Sequence, residues 1–191
     1  MDGNELVGYS VAETLRDGRR VTIRAIRADD HGRVSDALRN VGPESLYRRF
    51  FSSRAKFTDD ELRRATAVDF ADVVALVAVL TEDGEDRIVG GGRYFRLGQP
   101  DSDGRAELAF LVDDAHQGLG IGSRLFRHLV AIARAAGIRY FEADVLPANE
   151  GMLRLFQRSG HPVSRTMTPD AVHLTIHLAT EQDGASGSPS T

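Results

Sequence analysis

The chain has 191 residues, 41% hydrophobic and 27% charged, with a net charge of −4, the make-up of one ordinary globular domain. It holds no cysteine, which excludes a disulfide framework, a thiolate nucleophile and a cysteine-bound metal. The mild acidity argues against a general nucleic-acid binder, and no apolar run approaches the ~20 residues that cross a bilayer.

The opening MDGNELVGYS lacks the basic and apolar blocks of a signal peptide, so the expected location is the cytoplasm. The cations are almost all arginine, with Lys56 the single lysine. Residues 1–17 are weakly patterned. Arg19–Arg27 alternates, with Val21, Ile23 and Ala25 on one face, and reads as a strand. A helix opened by Asp29 or Asp30 follows, then short helices over Pro43–Ser52 and Thr58–Val68. Thr58 with Glu61 forms a capping-box signature for the second of these.

Asp72–Leu80 reads as a buried strand, and EDGED as its turn. RIVGGGRYFRLG returns as a second strand, bent at its glycines. Gly104–Asp114 is a third central strand. The next helix carries the stripe Leu125, Phe126, Leu129, Ile132, Ala133 and Ala136 and ends at Gly137. A strand (RYFEADVLP), a helix (NEGMLRLFQRSG) and a hairpin (HPVSRTM with AVHLTIHL) complete the pattern. The polar tail at 180–191 reads as disordered, which leaves one domain over 18–179. This order gives an α/β or α+β fold with a mixed sheet.

Between the third central strand and its helix lies DDAHQGLGIGSRLF. A strand-to-helix corner presents free N–H groups and the positive end of a helix dipole, which suit a phosphate. Glycines let the backbone approach closely. A Walker A loop would need Gly-Lys-Ser/Thr and a Rossmann fingerprint G-x-G-x-x-G. Neither fits Gly118, Gly120 and Gly122.

Gln117-Gly118-Leu119-Gly120-Ile121-Gly122 instead resembles the Q/R-x-x-G-x-G/A acyl-CoA pyrophosphate loop of the GNAT N-acetyltransferases. Asn149–Gly160 resembles the second conserved segment of that superfamily, and the element order from Arg19 to Leu178 follows its plan. LRDGRRVTIRAIRADD and PESLYRRFF resemble the GNAT domain of Pat-type protein lysine acetyltransferases. The resemblance implies a single domain whose mixed, mostly antiparallel sheet is flanked by helices. The implied reaction is direct acetyl transfer from acetyl-CoA to an amine in a ternary complex.

By that resemblance Gln117 to Ser123 hold the pyrophosphate, and the backbone of Phe110, Leu111 and Val112 binds the pantetheine arm. The Leu111 N–H is the expected oxyanion donor. Asn149 caps its helix and hydrogen-bonds the cofactor arm. Glu107, on one face with Ala109 and Leu111, is the candidate base, expected to be desolvated by apolar neighbours; the plain alternative is a strand-end glutamate paired with Arg93 or Arg105. Arg124 reads as a solvated surface residue.

Many relatives place a tyrosine acid after the leucine at Leu155. Here Phe156 follows, so no general acid is assigned. His173 and His177 would stand ~13 Å apart on a strand, and no metal is expected. The implied acceptor is a protein lysine, for example on an acyl-CoA synthetase, with neither nucleic acid nor membrane as partner. Small amines as acceptors, and an acyl-CoA-binding sensor without turnover, stay open, as does the oligomeric state.

Overall fold

A computed structural model describes residues 3–42, 58–98 and 103–178. In chain order these form α1 (Gly3–Val7), β1 (Ser10–Thr14), β2 (Arg20–Ala25), α2 (His31–Arg39), α3 (Asp59–Thr66), β3 (Val73–Glu82), β4 (Glu85–Leu97) and β5 (Arg105–Val112). They continue with α4 (Ile121–Ala135), β6 (Tyr140–Val145), α5 (Glu150–Gln157), β7 (Val163–Met167) and β8 (Val172–His177). The helix expected over Pro43–Ser52 and the tail from Thr180 lie outside the described residues.

The strands form one sheet in the order β1-β2-β3-β4-β5-β6-β8-β7. Neighbours are antiparallel except β5 and β6, which run parallel. This is the expected α/β domain with a mixed, mostly antiparallel sheet. Thr58 and Glu61 make the reciprocal capping box at the start of α3. The N-terminal segment, weakly patterned in sequence, supplies a helical turn and the edge strand β1.

Helix α4 packs on β3, β4 and β5. Leu125 and Leu129 on its inner stripe are fully buried, each side chain contributing about 1.5–3 kcal/mol relative to exposure. The glycines of β4 permit this approach. A Cβ at Gly92 would stand 2.6 Å from the Phe110 ring and 3.0 Å from Leu129. Strand β4 carries the expected irregularity at this point: its register against β3 shifts between Ala78 and Val79, leaving Val89 as the extra residue of a bulge. Phe126 centres an aromatic cluster, 5.6 Å from Phe156, 6.3 Å from Phe110 and 6.4 Å from Phe141.

One buried pair had no signal in the alternation of Arg19–Arg27. Arg24 Nη1 and Nη2 donate to the two carboxylate oxygens of Asp30 at 2.7 and 2.8 Å, and Asp30 is 0% exposed. The Arg27 amide adds a third donor. Burial opposes the charge on Asp30, but these donors outweigh it and hold the carboxyl below its ordinary range.

Candidate active site

Strands β5 and β6 are bridged only from Arg105–Tyr140 to Glu107–Glu142. Beyond that point they part, and a cleft of about 1070 Å³ opens between them and extends over α4 and α5. Its wall includes every residue from Glu107 to Val112, most of the glycine-rich corner, Asn149 and Leu155. The expected site residues therefore lie around one opening. Leu119 is the exception: it is half-buried against the core and does not line the cleft.

The three glycines of the corner answer to two needs. Gly118 and Gly120 have φ of 78° and 88°, the left-handed region that costs other residues about 1–2 kcal/mol. At Gly122 the need is space, since a Cβ there would meet Leu155 Cδ1 at 2.9 Å. The buried side chain of Ile121 anchors the turn from below. No amide from Gly118 to Ser123 finds an acceptor among the described residues. These N–H groups, at the head of a 15-residue helix, form a cradle suited to an anion. Gln117 is exposed and gives its side-chain amide to Asp114 Oδ1 at 2.8 Å and to the Val112 carbonyl at 3.4 Å.

The ladder decides which backbone groups face the opening. The Asp113 amide donates to Val89 O at 3.0 Å, and the register runs unbroken through Gly91–Leu111 and Arg93–Ala109. Antiparallel pairing alternates, so the odd-numbered residues of β5 turn their N–H and C=O towards β4. The Leu111 amide consequently faces Gly91 rather than the cleft, which corrects the expected oxyanion donor. Phe110 and Val112 present their main-chain groups to the opening, and the bond from Gln117 to Val112 O agrees with that direction.

Glu107 sits in the last bridge before the strands part. It is exposed, not desolvated as expected from its apolar neighbours. Glu142 beside it is occupied by Arg105 Nη1 at 2.5 Å, so Arg105 is not the partner of Glu107. Arg93 lies diagonally across on β4. Burial pulls the Arg93 guanidinium below its ordinary range and the Glu107 charge partly offsets this, yet the two form no ion pair among the described residues. His116 also lines the cleft, with Nδ1 3.1 Å from Asp113.

Asn149 caps α5 as expected, its Oδ1 accepting from the Met152 amide at 3.2 Å. The cap uses only the side-chain oxygen of Asn149, which also lines the cleft. Phe156 is 1% exposed and offers no exchangeable proton. His173 bonds Asp144 at 2.8 Å and His177 stacks on Tyr140 at 5.0 Å.

Two arginines differ from their sequence reading. Arg124 is not a solvated residue: it donates to Gly120 O at 3.0 Å and to Thr14 O, and stands 3.5 Å from Glu13. Arg16, absent from the expected set, lines the cleft and donates to Gly118 O at 3.1 Å. Its signal was the Asp17-Gly18 pair that follows it, a hairpin turn signature.

The family model for the acetyltransferase (GNAT) family matches residues 43–161. An acetyltransferase of Pseudomonas aeruginosa is 34% identical over 165 residues, 86% of this chain and 86% of its own length. Acetyltransferase Pat of Mycolicibacterium smegmatis is 35% identical over 146 residues, which span 76% of this chain and only 42% of that one. The solved GNAT domain of S. lividans Pat superposes with a TM-score of 0.80 at 37% identity, covering 88% of this chain and 96% of that one.

Proposed function

Because this chain belongs to the acetyltransferase (GNAT) family, we propose that it moves an acetyl group from acetyl-CoA to the ε-amine of a protein lysine. The observation that carries this reading is the exposed Glu107 carboxylate at the lip of a cleft that also holds the amide cradle. Similarity to Pat proteins supports a protein acceptor.

In this reading the amides of Gly118 to Ser123 hold the pyrophosphate, and the main chain of Phe110 and Val112 orients the pantetheine arm. Asn149 bonds the arm while capping its helix. A lysine amine carries a proton at neutral pH, with an ordinary pKa of about 10.4, and must lose it before reacting. Glu107 takes that proton, directly or through one water, and its exposure lets it return the proton to solvent. The freed nitrogen bonds to the thioester carbon. Phe110 and Val112 N–H steady the carbonyl oxygen as it gathers charge. The carbon–sulfur bond then breaks and the nitrogen gives its second proton to water, leaving a neutral acetylated lysine and the thiolate of CoA. Phe156 supplies no acid, so the thiolate takes its proton from water.

The test is CoA release from acetyl-CoA with an acyl-CoA synthetase as acceptor, followed by mass spectrometry of its lysines. Release with acetyl-lysine on the protein is expected. Transfer only to free small amines would replace the acceptor class. Binding of acetyl-CoA without release across both acceptor panels would favour a sensor without turnover.

A further inference from the structure

We propose that Arg16, carried to the cleft by the N-terminal hairpin, is the cation that neutralises the pyrophosphate of CoA; this rests on the acetyl-CoA reading above. The loop from Gln117 to Ser123 carries no ionisable side chain. Gln117 is neutral, and Arg124, the nearest basic residue in sequence, is turned back to Thr14 O, Gly120 O and Glu13. A pair of ionised phosphates on amide donors alone would keep its full charge.

Arg16 stands across the loop from those amides. Its Nη1 donates to Gly118 O at 3.1 Å, and its Nε would lie 3.5 Å from a Cβ built on Gly120. It makes no ion pair with a carboxylate among the described residues, and one hydrogen bond leaves most of a guanidinium's five donors free. Its exposed side chain can therefore turn from the carbonyl to a phosphate without breaking an ion pair.

The backbone holds Arg16 in register with the loop. Its own amide donates to Leu119 O at 3.2 Å, and the neighbouring Leu15 is buried. One residue before that, Thr14 O accepts from Arg124. The hairpin is thus tied to the loop at Arg16 itself and to α4 at Thr14, which makes the N-terminal strand part of the co-substrate site.

The experiment is calorimetric titration of the full chain with CoA and with 3′-dephospho-CoA, for the native protein, Arg16→Lys and Arg16→Gln. Arg16→Gln is expected to weaken both ligands equally, by about tenfold to a hundredfold. Arg16→Lys keeps most of the affinity, and the melting temperatures stay together. Glutamine can still donate to Gly118 O, so a loss in Arg16→Gln reports the charge. Native-like affinity in Arg16→Gln would overturn the proposal. So would a loss seen with CoA but not with dephospho-CoA, which would assign Arg16 to the 3′-phosphate. A native chain that binds neither ligand would instead overturn the acetyl-CoA reading, and this inference with it.

Discussion

Glu107 and Glu142 stand side by side in the last parallel bridge before β5 and β6 separate, and only Glu142 is neutralised, by Arg105 at 2.5 Å. The two carboxylates should therefore respond differently to removal of charge. Glu107→Gln is expected to lower kcat by about 10²- to 10⁴-fold while leaving CoA affinity unchanged. Glu142→Gln breaks a partly exposed ion pair and should cost kcat little. Steady-state kinetics with calorimetry on both variants decides the matter. Equal losses would remove Glu107 from its role as base.

Gly120 offers a separate test of the corner. Alanine there must adopt a φ of 88° and would press on the Arg124 guanidinium at 2.5 Å. The expected cost is about 1–2 kcal/mol in stability, together with weaker CoA binding as the amides lose alignment. Thermal melting and calorimetry read the two effects separately. A native-like melt with native-like affinity would show that the left-handed turn is not needed.

The Arg24–Asp30 pair governs stability rather than chemistry. Asp30→Asn leaves Arg24 buried without its counter-charge, for an expected loss of about 3–5 kcal/mol. The folded carboxyl lies below its ordinary value, so its contribution is fully present above about pH 4 and is lost as pH falls through the folded pKa. Melting temperature followed against pH should fall in acid for the native chain, and more shallowly for the variant.

Glu13 anchors the N-terminal strand. It accepts from Arg127 and from His128 Nε2 at 3.0 Å, and His128 Nδ1 accepts from Tyr9 Oη at 2.5 Å. Burial resists the Glu13 charge, but these donors prevail and hold the carboxyl below its ordinary range. Glu13→Gln should speed amide exchange across Ser10–Thr14 and weaken CoA binding through the displaced Arg16. Unchanged exchange would show that the hairpin is held by its backbone alone.

Much of this arrangement was legible in the residues themselves. The capping box at Thr58, the stripe on α4 and the glycine-rich corner each follow from local chemistry, and each is found in place. What escaped depended on register or on distant contact. Side-chain alternation puts Leu111 on the same face as Glu107 but does not say which way its amide points; that is set by the pairing of Asp113 with Val89 on another strand. Apolar neighbours along β5 suggested a desolvated Glu107, yet the cleft beside it admits solvent. SVAET carries too little alternation to declare a strand, and Arg16 gains its place only when that strand docks on α4. Arg24 finds its partner on the turn that follows its strand, so the strand itself held no sign of Asp30.

The strand order also has a consequence for how the chain acquires its shape. Strands β1 and β2, and strands β3, β4 and β5, follow one another closely in sequence and in the sheet. These antiparallel pairs can form from nearby segments as synthesis proceeds, whereas β2 reaches β3 across residues 26–72. Strand β8, by contrast, must enter between β6 and β7, and β6 meets β5 through only a short parallel stretch. Non-local and parallel pairings form slowly. Strands β3, β4 and β5 should gain protection early in a pulse-labelled refolding experiment, with β6 and β8 following together. The cleft, being the seam between these two halves, is then the last feature of the molecule to be completed.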